Sequence, residues 1–208
     1  MFKIRVIDWN SRKEHAELLE AYFRLRHKIY VETRGWTDVE RPIPFEIDAY
    51  DNRHAVYLVG IDKQGELMSG TRLVPTTEPH LLADIFPILA RGEPPRQPGV
   101  FEWTRFFVAP KLRTTGASSK ASGIMLTGLL EYCLHSKISV ITVVCEAFWP
   151  ERLRALGWHL KNLGEVLKHV DGDIVGLAIT VTPAMVETTK NAYGLPADRS
   201  VLESHFAK

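Results

Sequence analysis

Cysteine, long apolar runs and net charge are all in short supply in these 208 residues, and each shortage removes a class of function. Cys133 and Cys145 are the only cysteines, too few for a disulfide framework or a metal cluster. Both sit among Leu, Ile and Val, the setting of buried thiols in a reducing compartment. No apolar stretch approaches the roughly 18 residues of a membrane span. The opening Met1–Trp9 breaks its apolar residues with charge, which suits an edge strand rather than a signal peptide, so a cytoplasmic protein without membrane contact is expected. Twenty-six Lys and Arg oppose 25 Asp and Glu, a net of +1, which argues against a nucleic-acid partner. An HExxH motif, a serine nucleophile elbow and a P-loop ending are missing too. The histidines at 27, 54, 80, 135, 159 and 169 show no ligand spacing, so no metal is expected.

What is present reads as one α/β domain over residues 1–208. Residues 2–8 alternate like a short strand. Ser11 and Glu14 have the spacing of a capping box, opening a helix to Val31 with the apolar stripe Leu18, Tyr22, Leu25 and Ile29. From Glu32 to Arg53 periodicity stops, and a loop of that length is often functional. Ala55–Ile61 and Glu66–Val74 form a hairpin about Asp62–Gly65. Leu81, Leu82, Ile85 and Phe86 suit a short helix, and Val100–Val108 is β-prone and closed by Pro110. Thr115–Ser136 reads as a second long helix and Ile138–Cys145 as a buried strand. A brief helix, Pro150–Leu156, precedes an antiparallel pair, Trp158–Val170 and Asp173–Val181, and Pro183 opens a last helix ending near Gly194. The order implies a mixed sheet with helices on both faces.

Polar residues stand out in five places. Arg26 and Tyr30, four apart on one helix face, precede Trp36; they form either a snorkelling arginine with a loop anchor or an aromatic and guanidinium lid on a cleft. Glu46, Asp48 and Asp51 crowd one loop; if a helical turn aligns Asp48 and Asp51, the pair needs a cation, and its aromatic neighbours suit an organic one better than a metal. Arg72 shares its strand face with Met68 and Val74, so it must be paired or wet. Glu102 and Arg105 lie an odd distance apart in an aromatic strand, and a β-bulge between them would turn both to one cleft and free backbone N–H groups for an oxyanion. Arg113, Gly116, Ser118 and their neighbours, before the second long helix, offer a phosphate seat or a plain helix cap. Cys145 has no histidine partner that spacing can name, so it is not chosen as a nucleophile.

Jointly these residues resemble the acyl-homoserine-lactone synthases, the autoinducer synthases of bacterial quorum sensing. The opening motif is similar over Phe23–Glu32 with Gly35-Trp36, the family's arginine falling on Arg26, its tryptophan on Trp36, and its usual phenylalanine on Tyr30. Glu46–Asp51, Arg72, Phe86 and Glu102–Phe106 complete the likeness. It implies a mostly antiparallel twisted sheet like that of the Gcn5-related N-acetyltransferases, with a V-shaped cleft. It also implies S-adenosylmethionine and an acyl thioester as substrates, with no permanently bound cofactor. Leu73–Thr77 and the near-neutral surface resemble the subgroup that takes branched or aromatic groups from acyl-CoA, acyl carrier protein being the alternative donor.

On that resemblance, Glu102, Arg105, Asp48 and Arg72 are the expected catalytic residues, with Glu102 as base. Arg26, Tyr30, Trp36, Asp48, Asp51, Phe86, Phe106, Arg113, Gly116 and Ser118 are expected to hold the substrates. The acyl tail would meet Phe101, Trp103, Met125, Leu129, Thr142, Val143, Cys145, Phe148 and Trp149. Alanine at Glu102 or Arg72 should abolish N-acylation in a chain that still folds. A monomer is expected, with a dimer as the alternative. The rival functions are a CoA-dependent N-acyltransferase using another amine and a non-catalytic binding module.

Overall fold

A computed structural model of the protein describes residues 2–39, 41–113 and 119–203. Its centre is one seven-stranded sheet in the order β1-β2-β3-β4-β5-β7-β6. The strands are β1 (Lys3–Ile7), β2 (Val56–Ile61), β3 (Leu67–Pro75), β4 (Val100–Val108), β5 (Val140–Glu146), β6 (His159–Asn162) and β7 (Ile174–Thr180). All neighbours are antiparallel except β4 and β5, which run parallel and pair only from Val100↔Val140 to Glu102↔Thr142. Past that fork β5 continues to Glu146 on β7 alone, so the two central strands open as the expected V. Among the described residues no helix is long and apolar enough to cross a membrane.

α1 (Ala16–Arg26) packs on one face of the sheet, where Leu19, Tyr22 and Phe23 meet Tyr57, Val59 and Phe107. Gly70 permits that close packing, because a Cβ there would lie 2.4 Å from the Tyr22 ring and 2.7 Å from Phe107. α3 (Lys120–His135) and α5 (Pro183–Ala192) cover the other face with the larger apolar cluster. α2 (Leu81–Asp84) and α4 (Trp149–Ala155) are short. At the outer edge Leu202 bridges Ile4 in parallel, Arg5 holds Glu203 through two bonds of 2.8 and 2.9 Å, and the chain's last described residues close off β1.

Four local expectations are corrected. Ser11 does not cap the first helix: its hydroxyl and amide both bond the Asp8 carboxylate, at 2.8 and 2.9 Å, and α1 begins five residues later. The buried stripe is Leu19, Tyr22, Phe23 and Arg26, with Leu18 and Leu25 only partly covered. The helix does not run on regularly to Val31 but widens into a π-helical stretch over His27–Thr33. Finally, the strand expected over Trp158–Val170 ends at Asn162, and beyond it the chain meets β7 through a Leu163 amide to Gly176 carbonyl bond of 2.8 Å and a Leu167↔Ile174 bridge. Gly164 lies against the Leu89 carbonyl there, 2.7 Å from where a Cβ would be, so the backbone is drawn out of the ladder.

Candidate active site

The bulge expected in β4 is present. Arg72 faces Thr104 and Gly70 faces Phe107, so three steps on β4 answer two on β3. Arg105 carries the strain, with φ at +54°, a conformation a non-glycine side chain rarely adopts. Before the bulge Glu102 and Thr104 share the Arg72 face; after it Phe107 does. Arg105 is thereby turned to the same side, where it reaches the acidic loop.

Three arginines and three carboxylates then form a closed ring of alternating charge. Arg26 grips Asp51 with two bonds of 2.8 and 3.0 Å. Asp51 meets Arg72 at 2.8 Å, and Arg72 grips Asp48 at 2.6 and 2.9 Å. Asp48 bonds Arg105 at 2.9 Å, Arg105 grips Glu46 at 2.9 and 3.0 Å, and Glu46 returns to Arg26. Thr104 and Tyr57 bond Arg72 and Asp51 from the strands, at 3.0 and 3.1 Å. The cation demanded by the acidic pair is therefore protein, not an organic ligand held between the two. Asp48 and Asp51 share a tight turn rather than a helical one, Asp51 donating its amide to the Asp48 carbonyl and its carboxylate accepting the Asp48 amide.

Burial separates scaffold from surface in this ring. The side chains of Arg26, Glu46, Asp51 and Arg72 are 0% exposed, while Arg105 and Asp48 are 8% and 12% exposed. Only the Asp48–Arg105 edge can touch a small molecule. Beside it Tyr30 and Trp36 stack at 4.8 Å, with the Arg105 guanidinium 5.5 and 5.6 Å from their ring centres. Glu46 was not carried among the expected site residues, although its spacing of two from Asp48 was the available signal; Tyr57 becomes visible only once the β2–β3 register is known.

Glu102 lies outside the ring, on the same sheet face, with its carboxylate buried. It accepts the Leu81 and Leu82 amides at 2.8 and 2.7 Å. Burial pushes its pKa up to about 7, and the two amides and Arg72 do not cancel that. Burial also raises Glu46 and Asp51, but there the arginines win. Arg26 and Arg105 hold Glu46 at about 2, and Arg26 and Arg72 hold Asp51 well below the usual carboxylate range.

The two signs oppose. The depressed pair contributes stability that is complete above the ordinary values of 4.5 and 3.8 and is lost as pH falls toward 2. Raised Glu102 contributes stability that is complete below 4.5 and lost as pH rises through about 7. Urea unfolding is thus expected to show greatest stability near pH 4.5, with a gradual loss up to about pH 7 and a steep acid-side loss that Glu46→Gln flattens. An unchanged acid limb in that variant would remove Glu46 from the account.

The remaining expected residues divide by strand parity. Phe101, Trp103, Val143 and Cys145 lie on the α3 face with Met125 and Leu129. Thr142 does not join them: it faces Glu102 at the fork, its hydroxyl buried without a partner among the described residues. Phe106 packs against Trp103 and Trp149, at 5.5 and 5.6 Å, and so belongs with that aromatic group rather than with the ring. Phe148 stacks on Trp149 but is 49% exposed, at the outer end of the group. Phe86 sits apart, in the small cluster of Leu82 and Leu89 and against His169. Arg113 bonds the Val108 carbonyl, while Gly116 and Ser118 lie outside the described residues. The Cys145 thiol is pushed up to about 12 by burial and by Glu146, which disqualifies it as a nucleophile at neutral pH.

Comparison with known proteins agrees with this geometry. The autoinducer synthase family model matches residues 10–189. The isovaleryl-homoserine lactone synthase of Bradyrhizobium diazoefficiens is 35% identical over 163 residues, 77% of this chain and 72% of that protein. A solved CoA-dependent acyl-homoserine lactone synthase, MesI, is 51% identical with a TM-score of 0.88, over 97% of this chain and 100% of that one. A second, BjaI, solved with SAM and isopentyl-CoA, is 28% identical with a TM-score of 0.88, over 95% and 92%.

Proposed function

Because this chain belongs to the autoinducer synthase family and is an acyl-homoserine-lactone synthase, we propose that it takes a short branched or aromatic acyl group from coenzyme A, places it on the amine of S-adenosylmethionine, and closes the product to an N-acyl-homoserine lactone. The observation that carries the reading is Glu102, a buried carboxylate poised near pH 7 at the fork of β4 and β5. A base with that pKa suits an α-amine, which titrates not far above neutrality.

In the first step the amine nitrogen attacks the thioester carbonyl, Glu102 takes the amine proton, and the C–S bond breaks to expel the thiolate, to which Glu102 returns the proton. The β4 backbone beyond Glu102 has no ladder partner on the β5 side, and its amides are the candidates to meet the developing oxyanion, each good donor contributing about 3 kcal/mol. In the second step a carboxylate oxygen attacks the γ-carbon. The C–S bond breaks with its electron pair going to sulfur, and methylthioadenosine leaves. A sulfonium is already an able leaving group, so folding the substrate into attack geometry is the protein's main task. The Asp48–Arg105 edge pairs a carboxylate with a guanidinium, suiting a ligand that carries both an amine and an acid. Arg26, Asp51 and Arg72 hold that edge in place.

The solved relatives titled CoA-dependent support coenzyme A as the donor, and the Trp103, Phe106 and Trp149 group supports a wide, short tail. A panel of isovaleryl, aryl and straight-chain thioesters, each offered on CoA and on acyl carrier protein, tests this with mass detection of the lactone and of methylthioadenosine. Turnover at least tenfold faster with branched or aryl CoA than with the matching carrier-protein thioester is expected. Faster turnover with carrier protein would reverse the donor assignment. An acylated amine without methylthioadenosine would favour the general N-acyltransferase.

A further inference from the structure

Glu102 is oriented by a segment that sequence reasoning left without a role. The backbone of His80 is extended, with φ −150° and ψ 156°, and Leu81 and Leu82 are the first two residues of α2. Amides of a first helical turn have no acceptor within the helix. Here one donates to each carboxylate oxygen of Glu102, Leu81 to Oε2 and Leu82 to Oε1. α2 faces the acidic loop in turn: Asp84, which meets Arg96 at 3.3 Å, acts on the Tyr50 hydroxyl, and the Tyr50 ring lies 5.8 Å from the Arg72 guanidinium.

We propose that α2 is the positioning element of the acyl-transfer base, its first two amides aiming the Glu102 carboxylate and releasing their hold when that group takes the amine proton. The inference rests on Glu102 being the base. Two amides can bond two separate oxygens only while both oxygens accept. Once one oxygen carries a proton it is a poorer acceptor, and the amide bond made to it loosens. Phe86 lies two residues beyond α2, so proton capture loosens the segment that carries it.

Other groups face Glu102 from each neighbouring element. β3 contributes Arg72, the acidic loop Asp48 and Tyr50, α2 its Leu81 and Leu82 amides, and β5 the uncharged Thr142, with His80 just before α2 and Asp84 at its last residue. Burial drives His80 toward its neutral form and Tyr50 up to about 12, while Arg72 stays charged, so none of these three changes state as Glu102 titrates near 7.

Leu81→Pro removes one donor and little else, since proline suits the first helical position and the extended residue before it. With S-adenosylmethionine and isovaleryl-CoA, the acidic limb of the rate profile between pH 6 and 9 is expected to move up by about one pH unit. The rate at pH 6 then falls about tenfold, while Leu81→Ala, which keeps the amide, leaves the midpoint in place. A Leu81→Pro limb that stays put in a folded chain overturns the proposal. In the unmodified chain, the amide proton shifts of Leu81 and Leu82 should titrate together near pH 7 and lie flat in Glu102→Gln. This readout does not depend on the proline variant folding, and flat shifts in the unmodified chain overturn the proposal as well. A fully active Glu102→Gln would instead remove the base assignment, whatever the amides do.

Discussion

Glutamine at position 102 is expected to lower the acyl-transfer rate by about 10² to 10⁴-fold while the chain still folds. The substitution keeps side-chain length and one acceptor for α2, and it removes the group able to take a proton from the amine. Glu102 is outside the charged ring, so its loss leaves the ring's six partners in place. In the unmodified chain the rate should fall as pH drops below about 7, where Glu102 becomes protonated. Stopped-time thioester assays with saturating amine, together with a melting curve, separate lost chemistry from lost fold. A glutamine variant within about fivefold of the parent would mean that solvent or another group accepts the proton.

Alanine at Arg72 should behave differently, because the geometry adds a stability cost to the expected loss of N-acylation. Arg72 is fully buried and joins Asp48, Asp51 and Thr104. Its removal strands two acids of which one is sealed from water, and breaking a buried pair in this way costs about 3–5 kcal/mol. At this chain length that corresponds to a melting temperature lowered by roughly 10 °C. Urea unfolding with an unchanged slope would assign the loss to the native state. A variant as stable as its parent would show that Arg26 and Arg105 can neutralise all three carboxylates alone.

Much of this site was readable because β-structure has a strict period. Glu102 and Arg105 at an odd separation in an aromatic strand required a bulge, and Arg72 among apolar neighbours required a partner; both requirements are met. The closure of the ring was not readable, because it depends on how residues 46–51 fold back on two strands, which no periodicity specifies. Ser11 misled because Asp8, three residues earlier, competes for its hydroxyl and amide through a local turn. The clamp on Glu102 was invisible for a different reason. It is made by main-chain amides, which every residue but proline carries, so side-chain identity gives no hint of it.

The last described residues have a consequence of their own. An outermost strand offers its backbone to any extended peptide that passes, and such borders are where sheets grow from one molecule into the next. Here Val201–Glu203 occupies that border on β1, with Ile4 exchanging bonds of 2.9 Å with Val201 and Glu203. Shortening the polypeptide before Val201 would therefore do more than trim a tail: it would turn a finished margin into an adhesive one.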